Sequence, residues 1–171
     1  SDVYKRQVSV AGDLNQDRFP DLIVGDPLHS IVYVYFGTSQ GYANLRQGFI
    51  ILGNKRKGSD PDDYFGFAVA SAGDFNGDGF DDVIVSAILS NFCYIFFGKQ
   101  SHFNHLEMQT ISSANGIRID GSKYQRYTGL SLSRAGDING DGFEDVIISS
   151  VNKYYRQNTI YVVYGRYIAP D

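Results

Sequence analysis

The sequence predicts an all-β protein whose repeated four-stranded units form part of a β-propeller. Its composition, an internal repeat and continuous apolar runs within each repeat lead to this prediction. The 171 residues include 13 Tyr and 12 Phe, with 19 Gly and only 4 Pro. Aromatic residues favour strands, and glycines favour the turns that join them. The composition therefore predicts many short strands.

The charge and the apolar pattern exclude two classes of partner. The formal net charge is −4, and basic residues cluster only at Lys55–Lys57, so we expect no nucleic-acid binding. No apolar run approaches the roughly 20 residues of a membrane-spanning helix, so we expect no membrane insertion in this segment. The single cysteine, Cys93, lies among aromatic residues and is predicted to be a buried thiol.

An internal repeat organises the chain. A segment that opens with Ala-Gly-Asp and ends in an apolar β-branched run begins at residues 11, 72 and 135. An aromatic segment that ends in glycine follows each copy, at 31–37, 92–98 and 159–165. The third aromatic segment comes four residues late, which predicts an insertion within 150–158. A last apolar segment, at 48–53, returns at 116–121.

The middle unit shows the strand pattern most completely, with four strands predicted at 66–73, 82–87, 92–98 and 116–121. Continuous apolar runs such as Val83–Val85 are typical of strands covered on both faces. Sheets of this kind must stack between like neighbours, which a radial propeller achieves. We predict a partial blade, a complete blade and a blade truncated at its C-terminal end, at 8–58, 59–122 and 123–171.

The first seven residues are expected to be foreign to the protein. The run Ser1–Gln7 resembles a translated adaptor of the kind used to prepare sequencing libraries. Native sequence is therefore expected to begin near Val8 and to belong to a longer protein.

The acidic loop of each repeat predicts a metal site. Oxygen-bearing side chains stand at loop positions 1, 3, 5 and 9, and phenylalanine stands at position 7. A hard divalent cation takes six to eight oxygen ligands, and position 7 would add its backbone carbonyl while its ring anchors the loop in the core. Because the set contains no His or Cys, it favours Ca²⁺. The predicted ligands are Asp13, Asn15, Asp17, Phe19 and Asp21; Asp74, Asn76, Asp78, Phe80 and Asp82; and Asp137, Asn139, Asp141, Phe143 and Asp145.

This loop has two other interpretations, an EF-hand and a metal-free turn. An EF-hand needs a glutamate at position 12 and flanking helices, but position 12 is Val24, Val85 or Ile148 in an apolar run. A metal-free turn remains the alternative, although nine carboxylates in three short loops would repel one another without a cation. The first loop carries Gln16 and Arg18 where the others have glycine, so its site is expected to be the weakest.

At these residues the chain resembles the FG-GAP repeat family of integrin α-subunit propellers and bacterial surface proteins. Tyr64-Phe65-Gly66 matches the first half of the family motif and Gly25-Asp26-Pro27 approximates the second, although the third repeat has Thr128-Gly129 for Phe-Gly. The resemblance implies an extracellular or cell-surface, seven-bladed propeller with up to three Ca²⁺, each between the first and second strands of a blade. This chain would supply about two and a half to three blades, whose outermost faces and strand edges would be exposed.

Three functional classes follow. The first is a calcium-rigidified scaffold for adhesion or recognition, with protein or glycan ligands at the propeller loops and further blades of the parent protein as neighbours. The second is the propeller portion of a secreted hydrolase, lyase or phospholipase, and the third is a structural spacer. We expect no enzyme, because no nucleophile, base and acid set emerges and His102 and His105 lack a third ligand nearby. A cluster of tyrosines is predicted to serve packing between blades, with an aromatic binding surface as the alternative: Tyr154, Tyr155, Tyr161, Tyr164 and Tyr167.

Overall fold

The computed structural model describes residues 7–41, 46–54, 63–100, 106–121, 127–152 and 157–168. Several predictions lie outside these residues: the foreign segment except Gln7, the basic cluster Lys55–Lys57, His102 and His105, Tyr154 and Tyr155, and the unit boundaries at 58/59 and 122/123.

The described chain forms three sheets, and in each the strands from one repeat are antiparallel neighbours. The first sheet has the order β1-β2-β3-β4-β8, the second β5-β6-β7-β9 and the third β10-β11-β12. The strands are β1 Gln7–Gly12, β2 Asp21–Asp26, β3 Ile31–Phe36, β4 Arg46–Leu52, β5 Phe65–Gly73, β6 Asp82–Ala87, β7 Phe92–Phe96, β8 Leu106–Glu107, β9 Gly116–Asp120, β10 Thr128–Gly136, β11 Asp145–Asn152 and β12 Gln157–Val163.

The predicted fold class is confirmed. Within the described ranges the one complete helical segment is a 3₁₀ turn at Met108–Thr110, and none of these ranges holds a helix that could span a bilayer. The four strands predicted for the middle unit match β5, β6, β7 and β9 to within two residues at each end. The repeated four-strand pattern is therefore a set of blade-like antiparallel sheets, as the sequence indicates.

The insertion predicted within 150–158 lengthens a hairpin. In the second sheet the last pair before the β6–β7 turn is Ala87 with Phe92. In the third sheet the corresponding pair, Ser150 with Thr159, is followed by two more pairs, and the hairpin closes at Asn152 with Gln157. The four inserted residues therefore extend β11 and β12 by two residues each.

The sequence did not predict β8. Leu106 and Glu107 come from the connection between β7 and β9, yet they pair in parallel with Ile51 and Leu52 of β4 in the first sheet. The following residue, Met108, is buried in the core between the first and second sheets. A two-residue strand carries no periodicity, so only its long-range pairing reveals it.

The hydrophobic core lies between the sheets, in two clusters. One cluster joins residues of the first and second sheets, and the other joins residues of the second and third sheets. All six residues of β6 are buried, which is the double coverage that the apolar run predicts. Cys93 is buried in the second cluster, and burial raises the pKa of its thiol to about 12.

Among the described residues the end sheets are packed on one side only, as the sequence predicts for a set of blades with open ends. Exposed apolar side chains occur on β1 and on β12, for example Val8 and Ile160. The packing predicted for the C-terminal tyrosines is right for Tyr161, which contacts the second cluster. Tyr164 and Tyr167 are exposed among the described residues, so for them packing between blades stays a prediction.

Candidate functional site

The three acidic loops occupy the same place in their sheets and line up along one edge of the stack. Each joins the first strand of its sheet to the second, at residues 13–20, 74–81 and 137–144. The backbone N–H of Asp81 donates to the Asp13 carbonyl at 3.3 Å, and the N–H of Glu144 donates to the Asp74 carbonyl at 3.4 Å. Neighbouring loops are therefore hydrogen-bonded to one another.

The second loop shows the local geometry. The Asp74 carboxylate accepts hydrogen bonds from the backbone N–H groups of Asp78 and Gly79, both at 3.0 Å. The Asn76 side chain accepts from the Asp78 N–H at 3.1 Å and donates to the Asp78 carboxylate at 2.8 Å. Asp78 in turn accepts from the Phe80 N–H at 2.9 Å. The oxygens at positions 1, 3 and 5 therefore converge on one tight turn.

The other two loops repeat this network bond by bond. In the first loop Asp13 accepts from Asp17 and Arg18, and in the third Asp137 accepts from Asp141 and Gly142. The Asn-to-Asp side-chain bond recurs at 3.0 Å in the first loop and 2.8 Å in the third. The residues at loop positions 2, 4, 6 and 8 differ among the three loops, whereas those at positions 1, 3, 5, 7 and 9 are identical. The shared residues therefore determine the common loop conformation.

The aspartate at position 9 has a structural role that the sequence did not predict. Asp21, Asp82 and Asp145 are each 0% exposed. One oxygen of each accepts the N–H of loop position 2 and the other accepts the N–H of the glycine after the third strand, all at 2.9–3.0 Å: Leu14 and Gly37, Phe75 and Gly98, and Ile138 and Gly165. The sequence does carry a signal for this role, namely the glycine that recurs after each aromatic segment and donates its N–H to the aspartate.

Burial alters the acidity of two of these carboxyls. It raises the pKa of Asp21 to about 6 and that of Asp82 to about 8, and backbone hydrogen bonds offset part of this rise. The carboxylates at positions 1 and 5 of the same loop push each pKa further upward. A negative charge on Asp21 or Asp82 is therefore less favourable than on an exposed carboxyl.

The chemical types of the loop donors fit a hard cation better than the observed arrangement of these donors does. Each loop offers three carboxylates, an amide oxygen and a backbone carbonyl, all of which Ca²⁺ accepts. In the conformation seen, however, the carboxylates bond to backbone N–H groups, and no three Asp, Glu, His or Cys side chains of the described ranges converge as a metal-binding group. Metal ligation by the fifteen residues named from the sequence stays a prediction.

The phenylalanine at position 7 lies elsewhere than expected. Phe19, Phe80 and Phe143 are half-buried and belong to neither core cluster. The Phe143 ring lies against Gly77 of the second loop, where a Cβ atom would come within 2.4 Å of it. This ring therefore packs between neighbouring loops and does not anchor its own loop in the core.

The backbone of the first loop is strained as the sequence indicates. Gln16 and Arg18 have positive φ angles of 57° and 73°. The glycines at the same two positions also have positive φ, namely Gly77, Gly79, Gly140 and Gly142. A residue with a Cβ costs roughly 1–2 kcal/mol in this left-handed conformation.

Replacing Arg18 with glycine is expected to raise the free energy of unfolding by about 0.5–1 kcal/mol, because relief of strain exceeds the entropy that glycine gains in the unfolded chain. Urea denaturation in chelator measures the change. Arg18→Ala is the control, since it removes the same charge and keeps the strain. The reverse change, Gly142→Ala, meets no atom within 4 Å and should be destabilising through backbone strain alone. Equal stabilities of the glycine and alanine variants at Arg18 would contradict this account.

The residues that resemble the family motif form a joint between sheets. Gly66 follows Phe65 with φ of 86° and packs against Gly25 and Val32 of the first sheet. Gly129 has the same φ and packs against Ser86 and Cys93 of the second sheet. In the third sheet Thr128 replaces phenylalanine, and its hydroxyl meets that of Ser150 at 3.1 Å. This polar pair takes the place of the buried Phe65–Ala87 pair.

Comparison with known proteins agrees with this geometry. Residues 65–88, which span the Phe-Gly pair, the second acidic loop and β6, match the FG-GAP repeat model. The chain is 33% identical to integrin alpha-4 of Xenopus laevis over 153 residues, covering 82% of this chain and 14% of that protein. It is 30% identical to integrin alpha-PS3 of Drosophila melanogaster over 154 residues, with coverages of 84% and 13%.

A human relative gives the same result. Integrin alpha-7 of Homo sapiens is 29% identical over 147 residues, covering 81% of this chain and 11% of that protein. The chain thus spans only 11–14% of the length of these three relatives. The resemblance read from the sequence is confirmed: this is an FG-GAP repeat chain, similar over most of its length to integrin alpha subunits.

Proposed function

We propose that this chain is a calcium-binding β-propeller segment of an extracellular adhesion or recognition protein, in which up to three Ca²⁺ hold the blade loops rigid. The observation that carries the proposal is the threefold recurrence of one all-oxygen loop at the same place in stacked sheets. Carboxylate oxygens are ligands that Ca²⁺ prefers, and the relatives are named as integrin alpha subunits.

Within each loop the side chains at positions 1, 3 and 5 would bind the cation from the exposed side. In the second loop these are Asp74, Asn76 and Asp78, with the Phe80 carbonyl and the Asp82 carboxylate completing the set. The bound cation supplies positive charge to a cluster that otherwise relies on backbone N–H groups. The first loop, in which Gln16 and Arg18 have strained conformations, would bind its cation with the lowest affinity of the three.

A cation in one loop would also fix the neighbouring sheet. Adjacent loops are joined by the backbone bonds from Asp81 to Asp13 and from Glu144 to Asp74. Fixing the second loop therefore positions an acceptor on which the third sheet depends. The loops lie between adjacent strands and have no helix pair to open, so calcium would stabilise this fold and would not switch it.

A scaffold is a better account than an enzyme. The relatives compared above are named as integrins. In the described part of the chain, His29 and Asp26 meet at 3.0 Å within the β2–β3 turn, but the adjacent Ser30 hydroxyl donates to Asp63 instead. This turn is therefore not arranged as a nucleophile and its base. Protein or glycan ligands at the loops, and further blades of a longer protein, are the proposed partners.

Calcium should raise the midpoint of thermal unfolding. A ligand present at about 100 times its dissociation constant adds about 2.7 kcal/mol per site when it binds only the folded state. We expect a clear upward shift in Ca²⁺ relative to chelator, and a smaller shift in Mg²⁺, which demands stricter octahedral geometry. An unchanged midpoint in Ca²⁺ would contradict the proposal.

Variants of the third loop make this test specific. Asp141→Ala removes a proposed ligand and should reduce both the calcium-dependent shift and the number of ions bound in a calorimetric titration. Glu144→Gln is the matched control: it removes one charge from the same loop, but Glu144 pairs with Arg134 at 2.6 Å and is not a proposed ligand. Equal losses from both variants would point to general electrostatics and not to a site.

A further inference from the structure

Asparagine is followed by glycine at three places in the sequence, Asn76-Gly77, Asn115-Gly116 and Asn139-Gly140. In such a pair the backbone nitrogen of the glycine can attack the side-chain amide carbon of the asparagine, because glycine has no Cβ to block the approach. This attack begins spontaneous deamidation, which converts the asparagine to an acidic residue. The structure holds the three pairs in different hydrogen-bonded surroundings, so it predicts different reactivities for them.

The pair in the third acidic loop has the contacts that this attack requires. The Gly140 N–H donates to the Asp137 carboxylate at 2.7 Å. The side-chain oxygen of Asn139 accepts the Asp141 N–H at 3.0 Å, and its side-chain nitrogen donates to the Asp141 carboxylate at 2.8 Å. The attacking nitrogen therefore faces a base, and the amide oxygen faces an N–H that stabilises the negative charge developing on it.

The pair outside the acidic loops is held in the opposite sense. The Asn115 side chain accepts the Ser112 N–H at 2.7 Å and donates to the Thr110 carbonyl at 3.1 Å. Both bonds hold the amide against residues that precede it in the chain. The Gly116 N–H donates to the Ser112 carbonyl at 2.9 Å, which is a much weaker base than a carboxylate. These bonds must break before the Gly116 nitrogen can reach the amide carbon.

The other two acidic loops differ from the third at the attacking nitrogen. Asn76 makes the same bonds with Asp78 that Asn139 makes with its own aspartate. Among the described loop residues, however, a carboxylate accepts the N–H of position 4 only in the third loop. In the first loop Asn15 is followed by Gln16, whose Cβ hinders the attack. The structure therefore ranks the asparagine of the third loop as the most reactive of the three.

We propose that Asn139 is a site of spontaneous deamidation that the fold of its loop promotes. The Gly140 nitrogen forms a bond to the Asn139 amide carbon, and the Asp137 carboxylate takes the proton of that nitrogen. The amide C–N bond then breaks, and the departing nitrogen takes up a proton from solvent and leaves as ammonia. Water opens the resulting cyclic imide at either carbonyl, which gives aspartate or isoaspartate at position 139.

The product alters the third loop. The Asn139 amide donates to the Asp141 carboxylate, whereas a carboxylate at the same position cannot donate and repels it. An isoaspartate also adds one atom to the backbone and displaces the hydrogen bonds that follow it. Deamidation is therefore expected to loosen the third loop as the protein ages.

Mass spectrometry of the full chain, incubated in chelator and then digested, measures the rates. Trypsin releases Asn15, Asn76, Asn115 and Asn139 in different peptides, so each site is followed separately. Incubation in heavy-oxygen water labels only the sites that react during the experiment, and enzymatic methylation detects isoaspartate. Synthetic peptides of residues 111–119 and 135–145 give the rates of the same asparagines without the folded structure.

Folding should affect the two sites in opposite ways. Asn139 should react in the folded chain at least as fast as in its peptide. Asn115 should react roughly tenfold or more slowly than in its peptide, because its hydrogen bonds must break first. A rate at Asn139 below that of its peptide would overturn the proposal, and so would equal rates at Asn139 and Asn115 in the folded chain.

A variant tests the role of the carboxylate at the attacking nitrogen. Asp137→Asn should slow the reaction of Asn139 and leave Asn115 unchanged. Glu144→Gln is the matched control, since it removes one charge from the same loop but Glu144 pairs with Arg134. An unchanged rate at Asn139 in Asp137→Asn would refute this role. The comparison of Asn139 with its peptide needs no variant, so it stands whatever the stability of Asp137→Asn.

The same incubation in Ca²⁺ tests the calcium site proposed above independently of the deamidation. If Asn139 binds the cation, its amide oxygen is held in place and Asn139 should react more slowly in Ca²⁺ than in chelator. Asn115 should react at the same rate in both. An absence of protection at Asn139 would contradict its role as a calcium ligand, whereas the rates in chelator alone decide the deamidation proposal.

Discussion

Truncating Phe65 to alanine is expected to lower the free energy of unfolding by about 3–5 kcal/mol, the range for losing a large aromatic side chain from a packed core. Phe65 is 0% exposed and lies in the interface between the first two sheets. Its ring meets Tyr94 edge-on at 5.9 Å between centroids and Phe96 at 6.2 Å, and its Cβ packs on Gly53. The cavity left behind would have rigid walls on both sheets. Urea denaturation measures the loss.

Two further variants test whether the loss comes from this cavity. Phe65→Leu refills most of the volume and should recover a large part of the stability. Phe67→Ala removes the same ring from the same strand, but at a half-buried position, so its cost should be smaller. Equal losses at Phe65 and Phe67 would show that strand propensity, and not packing between the sheets, determines the effect.

Replacing Asp82 with alanine is expected to lower the free energy of unfolding by about 2–4 kcal/mol, because two buried N–H groups lose a hydrogen bond to a carboxylate. The Gly98 N–H loses its acceptor, at a cost of about 1–3 kcal/mol, whereas the Phe75 N–H keeps a bond to the Gly73 carbonyl at 3.0 Å and loses less. The two groups belong to Phe75 at the start of the loop and Gly98 after the third strand of the sheet. The measurement is made in chelator, so that no bound cation contributes. The chemical denaturation midpoint reports the loss.

A second aspartate of the same loop is the control. Asp78→Ala removes the same group from an exposed position and forfeits one hydrogen bond to the Phe80 N–H and one to the Asn76 amide, so a loss of about 1 kcal/mol is expected in chelator. Asp82→Asn keeps one acceptor oxygen and should fall between the two alanine variants. If Asp78→Ala were as costly as Asp82→Ala, the bonds of Asp82 across the sheet would not be the cause.

The strands of the blades were predictable from the sequence because each is short, apolar and bounded by turn residues. The run from Asp82 to Ala87 shows this best, since the predicted and observed bounds of β6 coincide. The repeat then transferred the assignment to the other sheets. The insertion near residue 150 was predicted only in its position. The sequence does not show that it lengthens β11 and β12, because this depends on strand pairing, which the spacing of the repeats does not specify.

The candidate site was predictable in its membership but not in its internal bonds. Spacing shows that Asp13, Asp17 and Asp21 share a loop. It does not show that Asp21 is buried and accepts a hydrogen bond from the N–H of Gly37, 16 residues further along the chain. The partner is set by how the third strand returns past the loop, which is a property of the folded sheet. The same reason applies to β8, whose two residues pair with a strand more than 50 residues earlier.

That short strand strengthens the interface between the first two sheets against force. Both interfaces share apolar packing and the backbone bonds at the acidic loops, but the first also has Leu106 and Glu107 hydrogen-bonded along the outer edge of β4. The side chain of Gln109 extends this attachment by donating to Asn54. Pulling the first two sheets apart must break this run of backbone bonds together with the apolar packing between the sheets. The strand therefore makes mechanical separation of these two sheets cooperative, since several bonds must fail at once.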